Sequence, residues 1–548
     1  MTAPDWKTFP AEIQEKLYQN IPEEWRDKTL KDKMLAEGFI NAKEFIDTLV
    51  PDSEKKITSL DAPTLAKVIA SRELTSYEVA KAFFHRAALA QQLTNCVIES
   101  WYPAALAKAK ELDKILEETG KVVGPLHGVP ISLKDQVDIA GFDSSIGYIG
   151  TYNHPKSENA LLATILENAG AVTYVKTTVP MAMMAPETVS NIHGYTSNSL
   201  NINLTSGGSS GGEGSLIGAQ GSPLGVGTDI GGSIRIPSAF QGLYGLRPSH
   251  GRVPYLRVTN SYSGQDTMPS VIGPLSPSLE GIELFMQTVV GAEPWRQDHK
   301  VVPIPWRDAS EFKTRKLTIG VMAYDGCIMP NPPVLRAVDE CVAALKRAGH
   351  EVIEWKFEEQ AEFSDVGGKI FAADLGQEIR DTCAISGEPV VPVVEYLVDE
   401  STFPEILNVN QWWDLCNKKY ELQTKFLAAW AESASKTASG REIDAIICPV
   451  WATPPFEKNK FESAVLGYSV PFNVVDSSVV IVPVTKVDKL IDLKDETYTP
   501  KNAKDQQVYD SYNPEVYHGI PICVQVACKR LEEEKAIAIA SVLADSLK

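Results

Sequence analysis

Residues 207–233 read GGSSGGEGSLIGAQGSPLGVGTDIGGS, and eleven of these 27 positions are glycine, against 37 in the whole chain of 548. Glycine weakens helix and strand interiors and is favoured where backbone must bend tightly or approach a ligand closely. Such a concentration in mid-chain calls for a reason. The serines at Ser209 and Ser233 suggest one. Hydroxyls held against exposed backbone N–H groups are the parts of a serine-based acyl-transfer site.

Two phosphate-binding readings of the glycines fail on spacing. A P-loop requires a lysine inside its motif, yet the first basic residue after Gly207 is Arg235. The dinucleotide pattern fails because Gly225-Val-Gly227 is followed by Gly231, one residue late. Gly207–Gly211 does satisfy GxSxG, the nucleophile elbow, for which Asp476 and His518 are available in the right chain order. That motif normally follows a buried apolar strand, whereas residues 201–206, NINLTS, are mostly polar. His127, His193, His250 and His518 sit beside Gly- or Pro-containing turns without spaced partners, which favours structural roles over a metal site.

A serine without a histidine needs another base. Lysine serves when burial disfavours its charged form. Upstream, GPLHGVPISLKD (124–135) alternates Val129, Ile131 and Leu133 with Pro130, Ser132 and Lys134, which predicts a short strand ending on Lys134.

The rest of the chain alternates helix and strand signals. Thr75-Ser-Tyr-Glu78 is a capping box ahead of a helix to Gln92, and Pro103–Glu118 is a helix closed by Gly120. Val334–Arg347 is a helix followed by the strand Glu351–Trp355; the helix Gln411–Ala434 precedes the strand Asp444–Pro449. Val479–Val484 and Ile522–Val526 are buried strands, and a helix over Leu531–Leu547 closes the chain. This alternation predicts an α/β sandwich around one large sheet. We divide the chain into a helical N-terminal extension, 1–58, and a single domain, 59–548.

Composition excludes several classes. The chain is 44% hydrophobic and 22% charged, as a folded globular protein is. A net charge of −19 disfavours nucleic acid as a partner. No apolar run approaches the length needed to cross a bilayer. Eight cysteines without a CxxC pair predict free thiols and a reducing, cytoplasmic setting.

GVPISLKD around Lys134, TSGGSSGGEG around Ser209 and GVGTDIGGSIRIPSAF around Ser233 closely resemble the amidase signature family, with separations of 75 and 24 residues between the three. The signature covers roughly 120–255, and the resemblance extends along the chain to the fungal acetamidases and general amidases. It implies an α/β/α sandwich with a large mixed central sheet, and hydrolysis of small or medium carboxylic amides to acid and ammonia. Esterase or carbamate hydrolase activity, or an ammonia-releasing amidotransferase subunit, are the alternatives. It further implies Ser233 as nucleophile, Ser209 as a bridging serine after a cis peptide bond, and Lys134 as base. Backbone N–H groups of Ile230, Gly231, Gly232 and Ser233 would receive the oxyanion, with no cofactor and no metal. Met183 and Met184 match a loop beside the acyl pocket, or are ordinary core methionines. Asp229 and Arg235 are either a charge-assisted pair orienting the site or a solvated local pair. The expected partner is a small amide; a homodimer is left open.

Overall fold

In the computed structural model, which describes residues 5–399, 401, 405–460 and 466–548, the element at the centre is a mixed sheet of eleven strands. In chain order these are β1 (Val97–Ser100), β2 (Pro130–Lys134), β3 (Val172–Thr177), β4 (Gly225–Asp229), β5 (Tyr244–Arg247) and β6 (Val271–Ser276). They continue with β7 (Thr318–Val321), β8 (Glu351–Glu354), β9 (Ala445–Pro449), β10 (Ser478–Lys486) and β11 (Pro521–Cys528). Their spatial order is β1-β3-β2-β4-β6-β5-β10-β11-β9-β7-β8.

The sheet is covered on both faces, as the period-2 geometry of its strands shows. Val480 and Val482 of β10 enter one apolar core, while Val479 and Ile481 enter the other. In the same way Val524 and Val526 of β11 face the first core, and Cys523 and Ala527 the second. The first core is closed by the helices Leu279–Gly291, Pro332–Arg347 and Glu533–Leu547. The second is closed by Gln360–Phe371 and Val409–Glu432, with Phe363, Phe426 and Trp430 at its centre. This is the α/β/α sandwich that the sequence predicts.

The capping box at Thr75 is present: Glu78 N–H donates to Thr75 Oγ1 at 3.1 Å, and Thr75 N–H to Glu78 Oε2 at 2.9 Å. Such a cap contributes about 1 kcal/mol. Helices also form within the N-terminal extension, at Phe9–Asn20, Leu30–Ala36, Ala42–Leu49 and Asp52–Thr58; its residues 1–4 lie outside the described residues. Met34, Phe45 and Ile46 join the first core, so this segment is packed into the body. Among the described residues, no helix is long and apolar enough to cross a membrane.

The glycine-rich stretch departs most from its sequence reading as bent backbone. It contains the helix Gly211–Gly218 and the central strand β4, both wholly buried. Close packing accounts for its glycines: a Cβ on Gly225 would lie 2.0 Å from Glu213 Oε2. Intrinsic propensity is overridden here by what the neighbours leave room for.

Candidate active site

Strands β2 and β4 are parallel neighbours, with Ser132 opposite Gly225 and Leu133 opposite Val226. Parallel strands end at the same edge, so Lys134, the last residue of β2, and Asp229, the last of β4, come to one place. In α/β sheets the carboxyl ends of parallel strands are the usual seat of a site.

Lys134 is fully buried. Its Nζ lies 2.8 Å from Ser209 Oγ and 2.6 Å from Thr228 Oγ1. Burial lowers its pKa to about 7, against the opposing pull of Asp229, Glu213 and Asp135. At neutral pH a substantial fraction of this amine is therefore unprotonated. Glu213 is buried as well, and burial pushes its carboxyl up to about 8 despite hydrogen bonds from Ser132 Oγ (2.6 Å) and Thr177 Oγ1 (2.8 Å).

Ser209 sits in the turn before the helix Gly211–Gly218, and the Gly208–Ser209 peptide bond is cis. Ser210 N–H donates to the Ser233 carbonyl at 3.1 Å, which sets the two serine motifs side by side. Among the described residues Ser233 Oγ has no hydrogen-bond partner, and Ser233 lines a small apolar cavity. Met183, Ile230, Gly231, Phe371, Tyr396 and Trp451 line the same cavity.

The turn carrying Ser233 is organised by Asp229. Its carboxylate accepts from Gly232 N–H (2.9 Å), Ile234 N–H (3.1 Å), Arg235 Nε (3.0 Å) and Asn473 Nδ2 (2.8 Å). Burial alone would raise this carboxyl, but the Arg235 guanidinium and these donors outweigh it and hold it well below the usual carboxylate range. Arg235 is buried too and reaches the Ser469 carbonyl at 2.9 Å. Of the two sequence readings, the solvated local pair is thus overturned. Gly232 has φ +129°, a conformation that L side chains rarely adopt. That conformation turns its N–H onto Asp229, so it is not free for an oxyanion. The N–H groups of Ile230, Gly231 and Ser233 have no acceptor among the described residues.

The alternative triad does not assemble. Asp476 is engaged by Arg247 Nη2 (2.9 Å) and Arg530 Nε (2.7 Å), and His518 Nδ1 accepts from Lys489 N–H at 3.4 Å. His193 has its Nε2 2.9 Å from the Val179 carbonyl, and burial lowers it to about 4. Trp451 also stands in the wall of this cavity. Trp412 lines a different cavity, and Trp413 is exposed. Sequence reading missed Thr228 and Gln136, although each stands within two residues of a residue it did name. It also missed Phe371 and Tyr396, for which no local signal exists.

Comparison with known proteins is consistent along the chain. Residues 78–537 match the family model Amidase. The chain is 44% identical to an acetamidase of Emericella nidulans over 98% of this chain and 97% of that protein. It is 42% identical to an acetamidase of Aspergillus oryzae, covering 98% of each. Among solved structures, a fatty acid amide hydrolase superposes with a TM-score of 0.92 at 30% identity, covering 99% of this chain and 95% of that one.

Proposed function

Because the chain belongs to the amidase signature family and is an amidase acting on amide C–N bonds, we propose that it cleaves small carboxylic amides through Ser233, Ser209 and Lys134. The observation that carries this reading is the buried Lys134–Ser209 pair beside the unpaired Ser233 hydroxyl at the wall of an apolar pocket.

Ser233 Oγ attacks the amide carbonyl. Its proton passes to Ser209 Oγ as the Ser209 proton passes to neutral Lys134 Nζ. The carbonyl oxygen, now anionic, is received by the N–H groups of Ile230, Gly231 and Ser233; loss of one such donor typically costs about 3 kcal/mol of transition-state stabilisation. The lysinium returns its proton through Ser209 to the leaving nitrogen, the C–N bond breaks and ammonia departs. Water then attacks the Ser233 ester by the same relay in reverse, releasing the acid. Gly232 acts differently, fixing the turn through Asp229.

The apolar lining recognises a short acyl group by contact rather than by charge. Acetamidases at 44% and 42% identity support that size class. The eight free thiols fit a reducing compartment, and we take the cytoplasm as the location.

The test is covalent labelling by a fluorophosphonate serine probe together with ammonia release from acetamide. Ser233→Ala is expected to abolish both. Labelling that persists at full rate moves the nucleophile to Ser209 and overturns the assignment.

A further inference from the structure

We propose that Gln136 and Thr228 are positioning residues that direct the lone pair of Lys134 at Ser209. This rests on Lys134 being the base. Neither residue is needed to explain why the lysine is neutral; the question is where its lone pair points. A neutral primary amine has two N–H bonds and one lone pair, and Lys134 Nζ has two hydroxyl neighbours, Ser209 and Thr228. Either hydroxyl is able to donate into the lone pair. If Thr228 does so, the amine is blocked as a base for Ser209.

The hydrogen bonds around Gln136 decide between these states. Gln136 Nε2 faces the Thr259 carbonyl at 3.0 Å, an atom that only accepts. It also faces Tyr255 Oη at 3.0 Å. The amide nitrogen must therefore lie on that side, which turns Oε1 towards Thr228 Oγ1, 2.6 Å away. An amide oxygen only accepts, so the single Thr228 proton goes to Gln136. Thr228 Oγ1 can then meet Lys134 only as an acceptor, and takes one of its N–H bonds. The lone pair is left for the Ser209 proton. Gln136 is itself anchored by position, since Thr259 N–H donates to the Gln136 carbonyl at 2.9 Å. All four side chains, Lys134, Gln136, Ser209 and Thr228, are buried, so water does not offer Thr228 another acceptor.

This arrangement predicts an unusual relation between two substitutions. Gln136→Met removes the acceptor and lets Thr228 donate into the lysine lone pair. Thr228→Val removes the competing hydroxyl altogether. The second change therefore repairs the first. The experiment measures kcat and KM for acetamide hydrolysis with Gln136→Met, Thr228→Val, the double variant and Lys134→Met. Folding is checked by thermal unfolding, and kcat is normalised to the fraction of enzyme that a fluorophosphonate labels at completion. Gln136→Leu serves if Gln136→Met does not fold.

Gln136→Met is expected to lower kcat by about 10- to 100-fold, short of the full ~10²–10⁴-fold of a general base because Thr228 blocks the lone pair only part of the time, with KM little changed. Thr228→Val should cost less, and the double variant should match Thr228→Val rather than the product of the two losses. A double variant that falls to that product, or a Gln136→Met enzyme with unchanged kcat, overturns the proposal. Lys134→Met that keeps its activity overturns the assignment of the base itself, a distinct result.

Discussion

Asp229 and Arg235 meet across the turn that carries Ser233, with Arg235 Nε 3.0 Å from Asp229 Oδ2 and both side chains sealed from solvent. Removing one partner leaves the other charge buried and alone. Arg235→Met should therefore cost about 3–5 kcal/mol of stability, read by denaturant unfolding. A loss below about 1 kcal/mol would show that the pair does not hold the turn.

Lys134 has two duties in the proposed relay, and only one matters for every substrate. An amide nitrogen must be protonated to leave, whereas a p-nitrophenolate needs no proton. Lys134→Ala should thus depress acetamide hydrolysis much more than p-nitrophenyl acetate hydrolysis. Equal losses for the two would remove the lysine from the role of acid.

The same lysine sets the acid limb of the pH profile. Only the neutral amine accepts a proton, so kcat/KM should rise with pH around pH 7. The Asp229 carboxylate, which Arg235 keeps ionised, favours the charged lysine. A kcat/KM that stays level or falls across pH 6 to 8 would contradict the sign.

Glu213 links folding to pH. Its pKa rises from the ordinary 4.5 to about 8 in the folded protein. Between these values the folded chain keeps a proton that the unfolded chain has lost. Its contribution is complete below pH 4.5 and is lost as pH climbs through 8. Unfolding of Glu213→Gln, followed from pH 5 to 8, should show a flatter decline than the parent; parallel curves would refute the linkage.

Phe371 closes the cavity close to Gly231, where a Cβ would lie 3.2 Å from its ring. Phe371→Ala should favour longer acyl groups, shifting the hexanamide-to-acetamide ratio of kcat/KM upward by roughly tenfold or more, at ~1–3 kcal/mol per methylene accommodated. An unchanged ratio would place the size limit elsewhere.

What the sequence makes legible follows the range of the forces involved. Strands such as β10 and β11 announce themselves as apolar runs, and the Thr75 cap as a local hydrogen-bond pattern. The reactive residues are legible because they sit in short motifs with fixed spacing. The burial of Lys134 is not, since it depends on β3 and β4 flanking β2, contacts more than 30 residues away in sequence. Strand β4 is hidden for a similar reason: its glycines argue against a strand until Glu213 at Gly225 and Leu275 at Gly227 are seen to leave no room for larger residues. Phe371 and Tyr396 are assembled into the pocket by the tertiary fold alone.

The cavity beside Ser233 is shared by two lengths of chain, the first of which also supplies Met183 to its wall. Every group in the proposed proton relay lies between Lys134 and Ser233, whereas Phe371, Tyr396 and Trp451 are supplied by later segments on the helices and loops of the second core. The share of selectivity that the later walls supply is thereby heritable apart from the chemistry. A lineage can redraw the later walls and acquire a new amide while the bond-breaking apparatus passes on unaltered.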